Sequence, residues 1–351
     1  MRSPRSYRRI IPRFFCAFPD ASRDPSTTGE PLRKHRDRSN AEHRARVGST
    51  VQPLLIPFFR VLSWLPLDVL QRIGARCGRL VAHLSPRYRH HLVANLAQAG
   101  YPSSRADLVS RAAAEAGRGA LELAHVWMRP QAEVLGRTGA TGWEHVEAAR
   151  RAGRGIVFMT PHLGCFEVTA QFYANNPAAG APLTVLYRPP RKRWLAPLIE
   201  GRRARGNLML APADLSGVKR LYRALKRGEA IGMLPDQVPS RGEGVWARFF
   251  GRHAYTMTLP ARLQRQTGAA LLLAHGERLA DGQGWVVHFS TIDEALSEEP
   301  VEAATQINAA LERLIRANPE QYLWGYNRYK TPRGAPRPPG ASDAAMRAAR
   351  P

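Results

Sequence analysis

The sequence is poor in cysteine, with three residues in 351. Cys16, Cys77 and Cys165 are far apart and odd in number, so they predict neither a disulfide framework nor a zinc site, and no metal is expected. Few cysteines without a pairing pattern favour a reducing compartment.

Acidic residues are also scarce, since 28 Asp and Glu face 52 Lys and Arg and the net charge is +24. Such a balance favours polyanionic partners: nucleic acid, anionic lipid, phosphorylated sugars or an acidic carrier protein. Only five of the basic residues are lysine, and arginine-rich coding in a GC-rich genome explains the excess equally well. The chain contains no helix-turn-helix, RNP-like or zinc-finger pattern, so nucleic acid is not an expected partner.

The first fifty residues lack an apolar core of 7–15 residues, so we do not expect a secretory signal peptide, and an Arg- and Ser-rich transit peptide is the weaker alternative. Residues 1–50 are instead predicted to form a basic disordered tail. The first apolar stretch begins at residue 51, but Arg60, Asp68 and three prolines interrupt it, and a transmembrane helix needs ~20 mostly apolar residues. We therefore expect membrane-associated helices over residues 51–100, with Trp64 among the interfacial anchors. An ordinary buried N-terminal helix is the alternative.

Short apolar runs alternate with amphipathic segments from residue 153 onward. The runs are IVFMT (156–160), LTVLY (183–187), NLMLA (207–211), AIGMLP (230–235), AALLLA (269–274) and WVVHF (285–289). They are typical of strands buried on both faces, and helical periodicity marks residues 215–228 and 301–317 between and after them. The pattern predicts an α/β fold over residues 101–331, with a mixed or mostly parallel sheet flanked by helices, and a disordered tail over residues 332–351.

A candidate catalytic motif follows the first of these strands, in the segment TPHLGCFE at 160–167. His162 lies at the predicted carboxyl end of the strand, where open α/β sheets bind ligands. A neutral imidazole accepts the proton of a hydroxyl that attacks a carbonyl, and a carboxylate on its other nitrogen fixes the tautomer. Glu167 is the carboxylate we predict for that role. The helix that begins here adds N–H groups and a positive dipole.

This His-x4-Glu arrangement resembles the His-x4-(Asp/Glu) motif of lipid acyltransferases, and HLGCFE resembles the late lipid A (lauroyl/myristoyl) acyltransferase family. Other segments match blocks of that family in the same order: RYR (87–89), NL (95–96), YRPP (187–190), LPDQ (234–237), GV (244–245), FFG (249–251) and WGYNRYK (324–330). The similarity covers about residues 51–331.

The resemblance implies transfer of a fatty acyl chain from acyl carrier protein to a hydroxyl of a lipid A precursor at the cytoplasmic face of the bacterial inner membrane. Membrane phospholipids are implied neighbours, and no cofactor is implied. His162 is then the general base, with Glu167 as its partner. Candidate substrate-binding residues in the matching blocks are Arg188, Asp236, Gln237, Arg328 and Lys330.

Each of these assignments has an alternative. Arg188 is otherwise a solvated loop arginine, Asp236 part of a turn, and Arg328 with Lys330 a charged surface. Cys165 adjoins the motif and raises the alternative of a covalent acyl-enzyme, although we interpret it as a packing residue. For the whole chain, the alternatives are acyl transfer to another bacterial lipid and a non-catalytic basic membrane-binding protein.

Overall fold

The computed structural model describes residues 56–102, 105–188, 190, 196–240, 242–292 and 294–340. The tail predicted over residues 1–50 lies outside the described residues, as does the end of the tail predicted from residue 332. Residues 332–340 form neither helix nor strand, and the carbonyl of Pro336 accepts a hydrogen bond from Trp246 Nε1 at 2.8 Å.

A seven-stranded sheet forms the centre of the molecule. Its strands are β1 (Thr138–Thr141), β2 (Ile156–Met159), β3 (Leu183–Tyr187), β4 (Leu208–Pro212), β5 (Ala230–Met233), β8 (Ala270–Arg278) and β9 (Trp285–Thr291). A separate antiparallel hairpin consists of β6 (Gly244–Phe249) and β7 (Arg252–Met257). The six strands predicted from apolar runs are confirmed, whereas β1 and the hairpin were not predicted.

The strand order is β1-β9-β8-β2-β5-β3-β4. Within this sheet β8, β2, β5, β3 and β4 run parallel to one another, whereas β9 pairs antiparallel with β8 and parallel with β1. The prediction of a mostly parallel sheet flanked by helices is therefore confirmed. The carboxyl ends of the five parallel strands share one edge, and β2 and β5 are neighbours there although 70 residues separate them in sequence.

Helices cover both faces of the sheet, and the first of them precede β1 in the chain. They comprise α1 (56–64), α2 (Leu67–Leu84), α3 (Pro86–Gln98), α4 (Ala106–Met128), α5 (Gln131–Gly136), α6 (Trp143–Arg151), α7 (Phe166–Asn175), α8 (Ala196–Arg203), α9 (Leu215–Lys226), α10 (Leu259–Thr267) and α11 (Pro300–Ala317). α9 and α11 correspond to the two helices predicted from periodicity. The predicted N-cap of α9 is also confirmed, since the Asp214 carboxylate accepts a hydrogen bond from Gly217 N at 3.0 Å.

Alternating side chains of β2 divide the core into two layers. Val157 and Met159 belong to a cluster with residues of α9, α10 and α11. Ile156 and Phe158 point to the opposite layer, which contains residues of α4, α6 and α7. α9 therefore covers one face of the sheet, and α7 covers the other.

A buried ion pair ties α4 to the end of β8. Arg278 donates through Nε to Glu122 Oε2 at 2.7 Å and through Nη1 to Glu115 Oε2 at 2.5 Å. A buried guanidinium is tolerated only with such partners, because it has lost its hydration.

α2 packs tightly on α4, where a Cβ on Gly117 would lie 2.0 Å from the carbonyl oxygen of Gly74. Within the described ranges, none of the helices has the length and apolar character needed to cross a membrane.

Candidate active site

The imidazole of His162 and the carboxylate of Asp236 meet at the carboxyl edge of the sheet. Met159, the last residue of β2, is in register with Met233, the last residue of β5. His162 and Asp236 each come three residues after these partners, and Thr160 N donates to Met233 O at 3.0 Å. Because the two strands are parallel neighbours, their following loops leave the sheet side by side.

Two hydrogen bonds join these residues. His162 Nδ1 lies 2.8 Å from Asp236 Oδ1, and the backbone N–H of His162 donates to Asp236 Oδ2, also at 2.8 Å. Since a carboxylate only accepts, the Nδ1 atom carries the proton and Nε2 presents its lone pair. This is the tautomer that a general base acting through Nε2 requires.

Asp236 is ionised in this setting although its side chain is only 2% exposed. Burial by itself raises the pKa of the carboxyl group. The facing His162, its two hydrogen bonds and the charge of Arg328 outweigh burial and bring the pKa of Asp236 below its ordinary value of 3.8. The carboxylate is thus negative throughout the neutral range.

The loop that carries His162 is held from two sides. Leu323 N donates to His162 O and Gly164 N donates to Gln321 O, both at 3.0 Å, so the C-terminal segment runs alongside the loop. On the other side Cys165 N donates to Gly276 O of β8 at 2.7 Å. Gly164 has φ +59°, and a Cβ there would lie 2.0 Å from Gly276 O, so glycine is required by the close approach of β8.

Gln237 is brought to the other nitrogen of the imidazole. Its Nε2 lies 2.9 Å from His162 Nε2, so the amide donates to the lone pair. The next residue is also fixed, because Val238 N donates to the Tyr326 hydroxyl at 3.0 Å. Phe166 packs on the imidazole with 4.9 Å between ring centroids. Asp236 and Gln237, which were predicted from the sequence as substrate-binding residues, thus both contact the imidazole of His162.

Glu167 has other partners, which corrects the prediction that it orients the imidazole. Its Oε2 accepts from Arg203 Nε at 3.0 Å and from Trp127 Nε1 at 3.4 Å, and its Oε1 accepts from Arg203 Nη2. Glu167 is the second residue of α7, so the helix turns its side chain towards α4 and α8, while Asp236 binds Nδ1. Sequence proximity to His162 had favoured Glu167.

Similarity to known proteins shows the family of the chain. The family model for the bacterial lipid A biosynthesis acyltransferases matches residues 42–331. The chain belongs to this family. It is 29% identical to the lipid A biosynthesis lauroyltransferase of Escherichia coli strain K12 over 283 residues, which is 78% of this chain and 89% of that protein. It is 27% identical to the palmitoleoyltransferase of the same organism over 275 residues, covering 76% and 87%. Similarity to the phosphatidylinositol mannoside acyltransferase of Mycobacterium tuberculosis is 30% over 149 residues, covering 41% and 45%.

Two basic residues of this lipid A acyltransferase family member lie near the loop that carries Asp236 and Gln237. The exposed Arg188 has Nη2 3.4 Å from Ser240 Oγ, which belongs to that loop. Lys330 Nζ lies 5.1 Å from the ring centroid of Tyr326, whose hydroxyl binds the same loop. The phosphate-binding role expected of them stays a prediction.

Arg328, in contrast, is 2% exposed and lies beneath the β6–β7 hairpin. Its Nη1 donates to Tyr255 O at 2.8 Å and its Nη2 to Thr256 Oγ1 at 2.7 Å. The expectation that it meets a phosphate is replaced by a role inside the protein. It anchors the hairpin, and its charge helps to keep Asp236 ionised.

Trp127, Arg203 and Tyr326 were not assigned to the site from the sequence. Trp127 and Arg203 hold Glu167, and the guanidinium of Arg203 lies 5.8 Å from the Trp127 ring centroid. For Tyr326 the sequence offered one signal, the resemblance of its segment to a family block. Trp127 and Arg203 gave no signal, because tertiary packing alone brings them to Glu167.

Cys165 is buried in the core layer beneath α7. Burial is the main cause that raises the pKa of its thiol well above the ordinary value, and the nearby Glu122 raises it further. A thiol held protonated is a poor nucleophile, so the packing interpretation is the one that the acyltransferase structure favours.

Cys165→Ala should keep kcat within about threefold of the wild type, since removal of a covalent nucleophile would lower kcat far more. A stable mass increase of one acyl chain on the wild-type protein, absent from the variant, would contradict this.

Proposed function

We propose that this acyltransferase moves a fatty acyl chain from acyl carrier protein to a hydroxyl of a lipid A precursor, with His162 as general base and Asp236 as the residue that orients it. The proposal belongs to lipopolysaccharide biosynthesis. The observation that carries it is the His162–Asp236 pair at the carboxyl edge of the sheet in a chain of this family.

The reaction follows from the tautomer. The acceptor hydroxyl gives its proton to His162 Nε2 while its oxygen forms a bond with the thioester carbon. The carbon–sulfur bond then breaks, and the imidazolium returns the proton to the leaving thiolate. Asp236 stabilises the imidazolium between the two steps because its carboxylate lies 2.8 Å from Nδ1. Glu167 takes no part in the proton transfer of this scheme, since its carboxylate binds Arg203 and Trp127.

An apolar cavity beside the imidazole is the place we assign to the acyl chain. It lies between α7 and the sheet, and Phe166, which packs on His162, is one of its walls. Further walls are Phe158, Ala170, Tyr173, Leu183, Val185 and Leu234. Its volume of about 40 Å³ is far below the ~300–1,000 Å³ of ordinary ligand pockets, so Phe166 and its neighbours must move to admit a chain.

The exposed side of α9 is the surface we assign to the carrier protein. It presents Lys219, Arg220, Arg223 and Lys226 around the exposed Tyr222. An acidic carrier suits such a surface, because complementary charges steer association.

Reversing two of these charges, in Lys219→Glu with Arg223→Glu, should raise the KM for a carrier-bound donor by about tenfold at low salt. The KM for the same acyl group on free pantetheine should not change, because the small thiol does not reach α9. Arg150→Glu with Arg151→Glu makes the same change in net charge at the end of α6, which packs on the other face of the sheet, and serves as the control. An equal rise in KM for both donors would contradict the assignment.

We assign the protein to the cytoplasmic face of the inner membrane, with α1 in contact with the lipid. Phe58 and Trp64 are 53% and 65% exposed on α1, and Val61 between them is 56% exposed. Phe59 turns inward and stacks on Trp127, with 6.2 Å between ring centroids and 19° between planes. Since Trp127 binds Glu167 beside the active site, this apolar surface lies next to the place where a lipid acceptor is needed.

Trp64→Glu should weaken binding to vesicles that contain anionic lipid by about tenfold, because an indole is lost from the interface and a negative charge is added. Val301→Glu is the control, since Val301 is 51% exposed on α11, and α11 packs on the face of the sheet opposite to the layer that Phe59 of α1 joins. Co-sedimentation with vesicles measures both. If the two variants bind equally, α1 is not the membrane contact.

The proposed reaction is tested with lauroyl-, myristoyl- and palmitoyl-carrier protein and a Kdo-bearing tetra-acylated lipid A precursor. Mass spectrometry should show a product heavier by one acyl chain. A parallel reaction with phosphatidylinositol mannoside tests the other acceptor class, to which the partial similarity with the mycobacterial enzyme points. Acylation of the mannoside alone would overturn the lipid A assignment.

A further inference from the structure

The amide of Gln237 is hydrogen-bonded to His162 Nε2, the atom that must accept the proton of the acceptor hydroxyl. A neutral imidazole has a single in-plane lone pair, at His162 Nε2 when Asp236 holds the Nδ1 proton. The Gln237 amide donates to that lone pair at 2.9 Å. A hydroxyl that is to be deprotonated must approach the same atom to about 2.6–3.2 Å, so the amide and the acceptor exclude each other.

We propose that Gln237 protects the acyl donor from hydrolysis by covering His162 Nε2 until the lipid hydroxyl displaces it. This role rests on the proposed function, since it assumes a thioester donor and a general-base imidazole.

The surroundings restrict the exchange to the Gln237 side chain. The residues on either side of it are fixed, because Asp236 makes two hydrogen bonds to His162 and Val238 N binds the Tyr326 hydroxyl. Asp236 and Val238 are buried, whereas Gln237 is half-buried. The loop backbone therefore stays in place while the amide can swing away from the ring.

Water and lipid hydroxyl compete for the same chemistry. In hydrolysis a water oxygen bonds to the acyl carbon and its proton passes to Nε2. The carbon–sulfur bond breaks and the thiolate takes that proton, so the products are a fatty acid and a thiol. The lipid acceptor brings binding energy from its remote groups and can use it to displace the amide, whereas water has no such groups.

Gln237→Met tests this role, since methionine has nearly the same length and no N–H to donate. With lauroyl-carrier protein as donor, free fatty acid and acylated precursor are measured in the same reaction. The ratio of hydrolysis to transfer should rise about fivefold to tenfold, which corresponds to the loss of one hydrogen bond. The rise should vanish in the Gln237→Met, His162→Asn double variant. Gln283→Met, at an exposed position in the turn before β9, should leave the ratio unchanged.

A gain in hydrolysis separates this role from damage to the fold, because misfolding lowers both products. An unchanged or lower ratio in Gln237→Met, with the wild type acylating the precursor, would overturn the role of Gln237 and leave the proposed function standing. If the wild type acylates no precursor, donor hydrolysis without acceptor still decides. If the variant then hydrolyses the donor faster than the wild type, Gln237 covers His162 Nε2 but the lipid A precursor is not the acceptor. If the two hydrolysis rates are equal, Gln237 does not have this role.

Discussion

Replacement of His162 by asparagine is expected to lower kcat for acyl transfer by a factor of about 10²–10⁴, the usual contribution of a general base. Asparagine keeps an N–H close to the position of Nδ1, so the buried Asp236 retains a hydrogen-bond partner. It has no nitrogen that accepts the hydroxyl proton. The fold and the KM for the donor should change little, because the carrier surface on α9 and the acyl cavity are intact.

The measurement is single-turnover acyl transfer with preloaded donor, accompanied by thermal unfolding of the same preparation. His162→Ala is the less informative variant, since it leaves the Asp236 carboxylate buried without its imidazole and destabilises the protein. A kcat for His162→Asn within a factor of ten of the wild type would exclude His162 as the base.

Asp236→Asn is expected to lower kcat by about 10³–10⁴, because it imposes the wrong tautomer. The carboxylate accepts two hydrogen bonds, from the backbone N–H and from Nδ1 of His162. The single amide oxygen of asparagine can keep only one of them. When the backbone N–H keeps it, the NH₂ group faces Nδ1, which must then accept. The ring proton moves to Nε2, and the lone pair needed for catalysis is lost.

The stability of the same variant gives a control on ionisation. The pKa of Asp236 is lower in the folded protein than its ordinary value of 3.8, so its ionised form stabilises the fold above about pH 4 and that contribution disappears as the pH falls through the folded-state pKa. The difference in unfolding free energy between wild type and Asp236→Asn should be largest at neutral pH and shrink below pH 4. A difference that grows on acidification would contradict an ionised Asp236.

Most of the sheet could be predicted from the sequence, because strands buried on both faces leave continuous apolar runs such as IVFMT and LTVLY. The β6–β7 hairpin lacks such a run. Its sequence GVWARF–RHAYTM mixes polar and apolar residues, since only part of it packs on α11 and the C-terminal segment. Local pattern alone does not separate such a hairpin from a loop.

The position of His162 could be predicted from local sequence, because an apolar strand, a glycine and a helix N-terminus follow one another within a few residues. Its partner could not be chosen, because 74 residues separate it from Asp236 and their contact depends on β5 lying beside β2. The apolar runs predict where the strands are in the sequence but not which strands are neighbours in the sheet. The helical turn that directs Glu167 to Arg203 is equally hidden. Arg328 was predicted to bind the substrate, yet it is buried and its Nη1 and Nη2 donate to backbone and hydroxyl oxygens of the hairpin.

The most direct test of the His162–Asp236 pairing is the Nδ1–H proton resonance of His162 in detergent-solubilised protein with ¹⁵N-labelled histidine. The structure predicts a downfield Nδ1–H signal, coupled to ¹⁵N, in the wild type and in Glu167→Gln. It should be absent from Asp236→Asn. A signal that persists in Asp236→Asn and disappears in Glu167→Gln would show that Glu167 orients the imidazole and would contradict the pairing of His162 with Asp236.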